Sequence, residues 1–258
     1  MSKKKEDCRI LKQEEISPQI FDMWLETPTI AAGAVPGQFV SVYCQDGSRL
    51  LPRPISLCEI DRENGRIRLV YRIAGKGTEE FSRLSPGSMV SVLGPLGNGF
   101  PLEEGKGKKV LLVGGGIGIP PLLETAKQLD AEVTMAAGYR DVLFLKDDFE
   151  KYCRFVIATE DGSAGTKGNV LDAIREQKIQ ADVIMACGPT PMLRGLKAYG
   201  LEKGIPCWIS MEERMACGIG ACLGCVCGSK EVDAHSHVHN KRVCKDGPVF
   251  LSTEVELG

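Results

Sequence analysis

Thiols carry the clearest chemistry in this chain. Cys217-Gly-Ile-Gly-Ala-Cys222-Leu-Gly-Cys225 puts three of them in one short loop, and Cys244 follows at a distance. Cys-x4-Cys-x2-Cys with a remote fourth Cys is the plant-type spacing for a [2Fe–2S] cluster. Two irons need four thiolates, so a loop that supplies three must wrap the cluster with its backbone close to the sulfides. Gly218, Gly220 and Gly224 suit that loop, because glycine accepts positive φ and close approach. The wrapped N–H groups can then donate to sulfur and help to set the potential.

Two other uses of these cysteines have to be weighed. Structural zinc usually shows paired Cys-x2–4-Cys knuckles, or Cys pairs with His pairs. Here a three-Cys loop has a single outlier. His235, His237 and His239 alternate, so on a strand they would share one face of a polar hairpin rather than act as ligands. Disulfides are the other use. Eleven cysteines is a high count, yet no signal peptide precedes them and they are not evenly framed. The spacing favours the cluster, with Cys217, Cys222, Cys225 and Cys244 as ligands. Cys227 is a spare thiol, because the x2 spacing selects Cys225.

Glycine-rich turns offer a second chemistry. Gly114-Gly115-Gly116-Ile-Gly118-Ile-Pro-Pro121 links a strand to a helix, where N–H groups and the helix dipole favour phosphate. It is not a P-loop, since no Lys-Ser/Thr follows. Nor is it a strict G-x-G-x-x-G, because Ile119 takes the last glycine's place. Tight strand–helix packing would use similar residues. Cys187-Gly188-Pro189 also closes a strand and opens a helix. Both turns fall at carboxyl ends of strands, where open α/β sheets bind ligands, and together they point to a dinucleotide. Earlier, Arg53-Pro54-Ile55-Ser56 offers a cation and a hydroxyl at a strand mouth, and Gly75-Lys-Gly77-Thr78 precedes a helix. Taken singly, a surface Arg and an ordinary N-cap account for those two.

The elements that must position these groups fall into three parts. Up to residue 105 the chain reads as short strands, at 38–43, 55–60, 66–73 and 89–93, separated by Pro36-Gly37, Asp46-Gly47 and Asn64-Gly65. A helix over 78–84 takes Thr78 as its N-cap. This spacing predicts a small antiparallel β-barrel. From 106 to 211 strands alternate with helices, which means a parallel α/β sheet. Strands are expected at 109–115, 132–138, 154–159, 182–187 and 207–211, and helices at 120–129, 144–152, 169–177 and 190–203. Gly105-Lys-Gly-Lys108 is the expected linker. Residues 212–258 then form the cluster segment, with a hairpin or two folding over it.

Composition narrows the function classes. The chain has 258 residues, 43% hydrophobic and 26% charged, with net charge −2. That balance gives no electrostatic case for nucleic acid or a membrane surface. No apolar run reaches the ~18–20 residues of a membrane span. The N-terminus lacks the apolar stretch of a secretory signal, so a reducing cytoplasm is expected.

Arg53-Pro-Ile-Ser56, Leu69-Val-Tyr-Arg72, Gly75-Lys-Gly-Thr78, Leu93-Gly-Pro-Leu-Gly97, the two glycine turns, Met211-Glu-Glu-Arg-Met-Ala-Cys217 and Cys244-Lys-Asp-Gly-Pro-Val-Phe250 together resemble the ferredoxin–NADP reductase superfamily. The resemblance is closer still to the electron-transfer subunits of type B dihydroorotate dehydrogenases, and it covers essentially the whole chain. It implies FAD on the barrel, with Arg53, Pro54, Ile55, Ser56, Val70, Tyr71 and Arg72 lining the flavin and its phosphates. Gly77 and Thr78 would meet the pyrophosphate. It implies NAD(H) over Gly114, Gly115, Gly116 and Gly118 and over Cys187, Gly188 and Pro189. It also implies a partner, an FMN-containing catalytic subunit that oxidises dihydroorotate to orotate in pyrimidine biosynthesis, in a heterotetramer of two of each chain. Arg140-Asp141 could serve NAD or NADP. No catalytic acid or base is expected, because the cofactors carry the chemistry. The rival of the same build is a reductase subunit of a hydrogenase- or transhydrogenase-like complex. The rival of another class is a non-enzymatic redox or metal-binding regulator.

Overall fold

The structure is a computed structural model that describes residues 3–140, 142–234 and 236–257. Its first part comprises β1 (Lys4–Ser17), β2 (Ile20–Glu26), α1 (Pro28–Gly33), β3 (Phe39–Val42), β4 (Arg53–Asp61), β5 (Arg66–Arg72), α2 (Lys76–Ser82) and β6 (Met89–Leu96). The six strands close into an antiparallel barrel in the order β1-β2-β5-β4-β3-β6. Closure leaves no free strand edge. Alternate residues, among them Met23, Val40, Val42, Leu57, Leu69 and Val92, fill the interior.

β1 and β2 escape the sequence's strand signals. β1 is largely charged and exposed, and its pairing with β2 shifts register twice. α2 starts earlier than expected. Its N-cap is Gly75, and Thr78 lies inside the first turn, where its Oγ1 accepts from Ala74 N–H (2.9 Å) and donates to the Gly75 carbonyl (3.1 Å).

The second part holds β7 (Lys109–Gly115), α3 (Leu123–Gln128), β8 (Glu132–Tyr139), α4 (Lys146–Phe149), β9 (Arg154–Thr159), β10 (Thr166–Lys167), α5 (Val170–Glu176), β11 (Val183–Cys187), α6 (Thr190–Lys203) and β12 (Cys207–Ser210). The tail adds β13 (Val226–Gly228), β14 (Asn240–Arg242) and β15 (Val249–Leu251). β13 and β14 pair as an antiparallel ribbon, while β15 returns to the large sheet antiparallel to β12. That sheet runs β10-β9-β8-β7-β11-β12-β15, otherwise parallel. The chain winds outward from β7 to β10, then crosses to β11 on the other side of β7. The β7/β11 boundary is therefore the topological switch point.

The helix expected at 120–129 begins as two 3-10 turns, Gly116–Gly118 and Pro120–Leu122, and is α-helical only in α3. Pro120 and Pro121 lack the N–H groups that a regular ladder would use. The helix expected at 144–152 shrinks to α4, with Leu145 left-handed (φ 61°) before it. His237 and His239 lie in turns rather than on one strand. His239 Nδ1 is 3.0 Å from the Lys230 carbonyl. His235 and Asp141 fall outside the described residues.

Barrel and sheet share a core, in which Ile20, Cys58, Val70 and Phe100 pack with Leu112, Leu122, Met135 and Val249. A buried ion cluster crosses the same seam. Arg68 of β5 bonds Asp22 (2.9 Å), Glu59 (2.6 Å) and, from α4, Asp148 (3.1 Å). Burial alone would favour a neutral Arg68, but Asp22 and Glu59 reverse that and hold the guanidinium charged.

Candidate redox site

A cavity of about 330 Å3 opens where the barrel meets the sheet, lined in part by Pro54, Ile55, Ser56, Val70, Tyr71, Arg72 and Thr78. Seven of the barrel residues singled out from the sequence thus share one wall. Tyr71 is held rigidly. Its hydroxyl accepts from Gln13 Nε2 (2.8 Å), and its ring stacks on Phe21 and meets Phe81 edge-on. Burial pushes its phenol up to about 12, so it stays neutral.

A wider groove of about 1080 Å3 continues past Pro54, lined by Arg49, Arg53, Lys76 and Arg214 and by the carboxylates of Asp46, Glu212 and Glu213. Arg53 lies over α2 so closely that a Cβ on Gly77 would stand 2.3 Å from its Nε. Gly77 is therefore needed for close approach. An apolar slot opening into a groove that presents Arg53 and Lys76 beside α2 suits a planar aromatic ring joined to a pyrophosphate. The donor set fits FAD.

The two glycine turns meet each other. β11 and β7 are in register so that Cys187 is opposite Gly114. A Cβ on Gly118 would stand 2.3 Å from the Cys187 carbonyl oxygen, and one on Gly115 would stand 2.9 Å from Pro189. Close packing thus accounts for Gly115 and Gly118. Gly116 differs: it is left-handed (φ 54°), and a Cβ there would stand 3.3 Å from the Arg72 guanidinium. The first turn leads into 3-10 segments, so α6, after Pro189, is the regular helix whose N-terminus faces this junction. Beside it a cavity of about 480 Å3 is lined by Gly188, Pro189, Thr190, Met211 and Glu212.

Glu212 and Glu213 line all three cavities. Crowding by protein raises the Glu212 carboxyl above its usual range, with Arg72 pulling the other way. The sequence named these residues only as the lead into the cysteine loop. Their junction position needs β12 to end beside the barrel.

The loop itself starts two residues after Met215, which also lines the flavin-type cavity. Cys217 Sγ accepts from the N–H groups of Ile219 (3.5 Å) and Ala221 (3.3 Å), and Cys222 Sγ accepts from Gly224 (3.4 Å). Cys225 Sγ accepts from Cys244 N–H (3.4 Å). Burial raises the Cys217 thiol, but donors from Ile219, Cys222 and Ala221 overcome it and bring it down to about 6. The Cys244 thiol donates to Cys225 and brings it likewise to about 6, while Cys244 itself is pushed up. The sulfurs thus pair two by two, Cys217 with Cys222 and Cys225 with Cys244. Among the described residues no three His, Cys, Asp or Glu gather on one point, as a single zinc would need. A [2Fe–2S] cluster would need four thiolates, and Cys217, Cys222, Cys225 and Cys244 supply a donor set that fits it.

Gly218 and Gly220 have φ of 68° and 87°. Arg242 ties the loop down, bonding the Gly220 carbonyl (3.2 Å) and Asp246 (3.0 Å). Cys227 turns to the Lys241 carbonyl (3.6 Å) across the ribbon, and burial pushes its thiol up to about 11. All eleven cysteines are free thiols.

A flavin-type barrel, a parallel nicotinamide-type sheet and a thiolate loop in one chain define an oxidoreductase of the ferredoxin–NADP reductase build with an iron–sulfur extension. Residues 7–100 match the oxidoreductase FAD-binding domain family, and residues 212–256 the iron–sulfur cluster binding domain of dihydroorotate dehydrogenase B. The chain is 44% identical to the dihydroorotate dehydrogenase B (NAD(+)) electron transfer subunit of Geobacillus sp. (strain WCH70), over 98% of this chain and 99% of that one. Against the same subunit from Bacillus cereus (strain B4264) the figures are also 44%, 98% and 99%. This chain belongs to the family of dihydroorotate dehydrogenase B (NAD(+)) electron transfer subunits. Among solved structures, an NADH-dependent reduced ferredoxin-NADP oxidoreductase superposes with a TM-score of 0.86 at 31% identity, covering 97% of this chain and 90% of that one. The ferredoxin reductase of carbazole 1,9a-dioxygenase shares the fold (TM-score 0.66, 20% identity, 80% and 68% covered).

Proposed function

We propose that this chain carries electrons between NAD+ and the FMN of a dihydroorotate-oxidising catalytic subunit, through FAD and a [2Fe–2S] cluster. FAD is assigned to the barrel, residues 1–105, NAD(H) to 106–211 and the cluster to 212–258. The observation that carries this is continuity. Glu212, Glu213 and Met215 line the flavin-type cavity, and Cys217 follows directly. Phe39 of β3 lines that cavity and belongs to the same buried apolar cluster as Cys225 and Cys244.

When bound, FAD exchanges two electrons as hydride with nicotinamide and single electrons with the cluster. The residues supply position and charge. Tyr71, Val70 and Ile55 would hold the ring, and Arg53, with the backbone at Gly77 and Thr78, the pyrophosphate. Arg72 spans the flavin cavity and Gly116. Glu212 faces Pro189 and Thr190, where the nicotinamide would enter. Cys217 and Cys222 would hold one iron, Cys225 and Cys244 the other, with loop N–H groups stabilising negative sulfur.

Cys222 is exposed, with Ile219, Leu223 and Val226 partly exposed around it. That apolar rim is the proposed docking face for the catalytic subunit, because electron transfer needs the cluster near a surface. Two of each chain would form a heterotetramer. No helix among the described residues is long and apolar enough to cross a membrane. Eleven reduced thiols are in keeping with the cytoplasm as the proposed location.

The isolated chain should oxidise NADH with an artificial acceptor and show no turnover of dihydroorotate. Adding the catalytic subunit should restore NAD+-linked oxidation. Removing the cluster should cut that coupling and spare much of the artificial-acceptor rate. Dihydroorotate oxidation by this chain alone would falsify the proposal.

A further inference from the structure

Ser41 lies on the barrel strand nearest the cysteine loop. Its neighbours Val40 and Val42 point into the barrel interior, so by alternation Ser41 faces outward on the side of Phe39. Phe39 and Leu96 on that face share a buried apolar cluster with Cys225 and Cys244, and a Cβ on Gly218 would stand 3.4 Å from Leu96. Ser41 is 1% exposed, and its Oγ finds no hydrogen-bond partner among the described residues. It is aimed at the loop. A Cβ on Gly218 would stand 2.9 Å from this Oγ, next along the chain from Cys217.

A buried hydroxyl without a partner costs roughly 1–3 kcal/mol. The surrounding face is otherwise apolar, and an alanine there would avoid that cost. The hydroxyl needs an acceptor on the Gly218 side, and the negative sulfurs gathered by Cys217 are the acceptors that a loaded site brings.

We propose that Ser41 donates a hydrogen bond to a cluster sulfur beside Cys217 and so raises the reduction potential of the cluster. The inference rests on the assignment of Cys217, Cys222, Cys225 and Cys244 as ligands. Reduction adds one negative charge, shared by the sulfurs, so a donor stabilises the reduced form more than the oxidised form. The barrel therefore sets the potential of a cluster carried by another part of the chain. Ser41 is a tuning residue. It moves no proton and forms no bond to the substrate.

The test uses the full chain purified with its cluster. In Ser41→Ala, iron and sulfide content should stay at the wild-type level. The equilibrium constant for one-electron reduction, read by an EPR-monitored redox titration, should fall about fivefold to tenfold. Tenfold corresponds to about 59 mV for one electron. An exchangeable deuteron coupled to the reduced cluster in wild type should vanish in Ser41→Ala. Ser41→Thr, which keeps the hydroxyl, should restore both signals to within about twofold. A loaded Ser41→Ala cluster with unchanged potential and coupling overturns the inference. If Ser41→Ala loses its iron, Ser41→Cys, of similar size with a weaker donor, is titrated instead, and an unchanged potential there overturns it too. Loss of iron from the Ala, Cys and Thr variants alike makes Ser41 a packing residue, again overturning it. A wild-type chain whose iron does not depend on the four cysteines would sink the ligand assignment, which is a different failure.

Discussion

Cys225 and Cys227 are two residues apart and both buried, yet the structure gives them different company. Cys225 is brought down to about 6 beside Cys244, whereas Cys227 is pushed up to about 11 and donates across the ribbon. Cys225 faces Cys244, whereas Cys227 is turned toward the Lys241 carbonyl on the ribbon. Cys225→Ser should therefore abolish the cluster or leave it too unstable to isolate. Cys227→Ser should leave the EPR signal of the reduced cluster nearly intact. The opposite pattern would move the ligand to Cys227 and break the plant-type spacing. The x2 spacing already pointed to Cys225, because three candidate ligands on one short loop are a local matter. Their division into two pairs was not legible, since Cys244 arrives only when the ribbon folds back.

Among the elements, α2 shows how a short helix borders the groove proposed for the flavin pyrophosphate. Its N-cap is a glycine, and Gly77 lets Arg53 lie flat over its first turn. A charge-assisted contact from Arg53 to phosphate is worth roughly 1.5–3 kcal/mol. Gly77→Ala displaces that guanidinium without removing it, so the chain should purify with clearly less FAD while cluster absorbance persists. Arg53→Ala should have a similar and larger effect. Full flavin occupancy in both variants at low FAD concentration would take Arg53 out of the site. The sequence marked Arg53 and Gly77 separately, on different signals. Only the pairing of β4 with the chain before α2 shows that one exists to make room for the other.

On the scale of the whole molecule, the Arg68 cluster locks the barrel to the sheet. Asp22 is 1% exposed, so removing Arg68 leaves a buried carboxylate with the longer contact to Lys12 (3.7 Å) in its place. Breaking such a pair costs about 3–5 kcal/mol. Arg68→Met should lower the thermal midpoint by roughly 6–20 °C, at about 2–4 °C per kcal/mol for a chain near this size. Asp22→Asn in the same chain should recover part of it. A midpoint within a degree of wild type would show that the apolar seam alone holds the two parts together. That cluster joins residues from β2, β4, β5 and α4. No local pattern in the sequence announces it.

The sequence by itself determined the cofactor chemistry and the order of the parts. Ligand spacing, turn glycines and hydrophobic period are all read over a few neighbouring residues, and backbone geometry acts at that range. Tertiary structure decided what lies between the parts. Phe39 and Ser41 face the cysteine loop because the barrel closes with β3 outward there. Glu212 reaches three cavities because β12 ends at the seam, and β15 joins the large sheet because the tail turns back beyond Cys244. Each of these contacts depends on strands far apart in the chain closing against one another, which no short window of residues specifies.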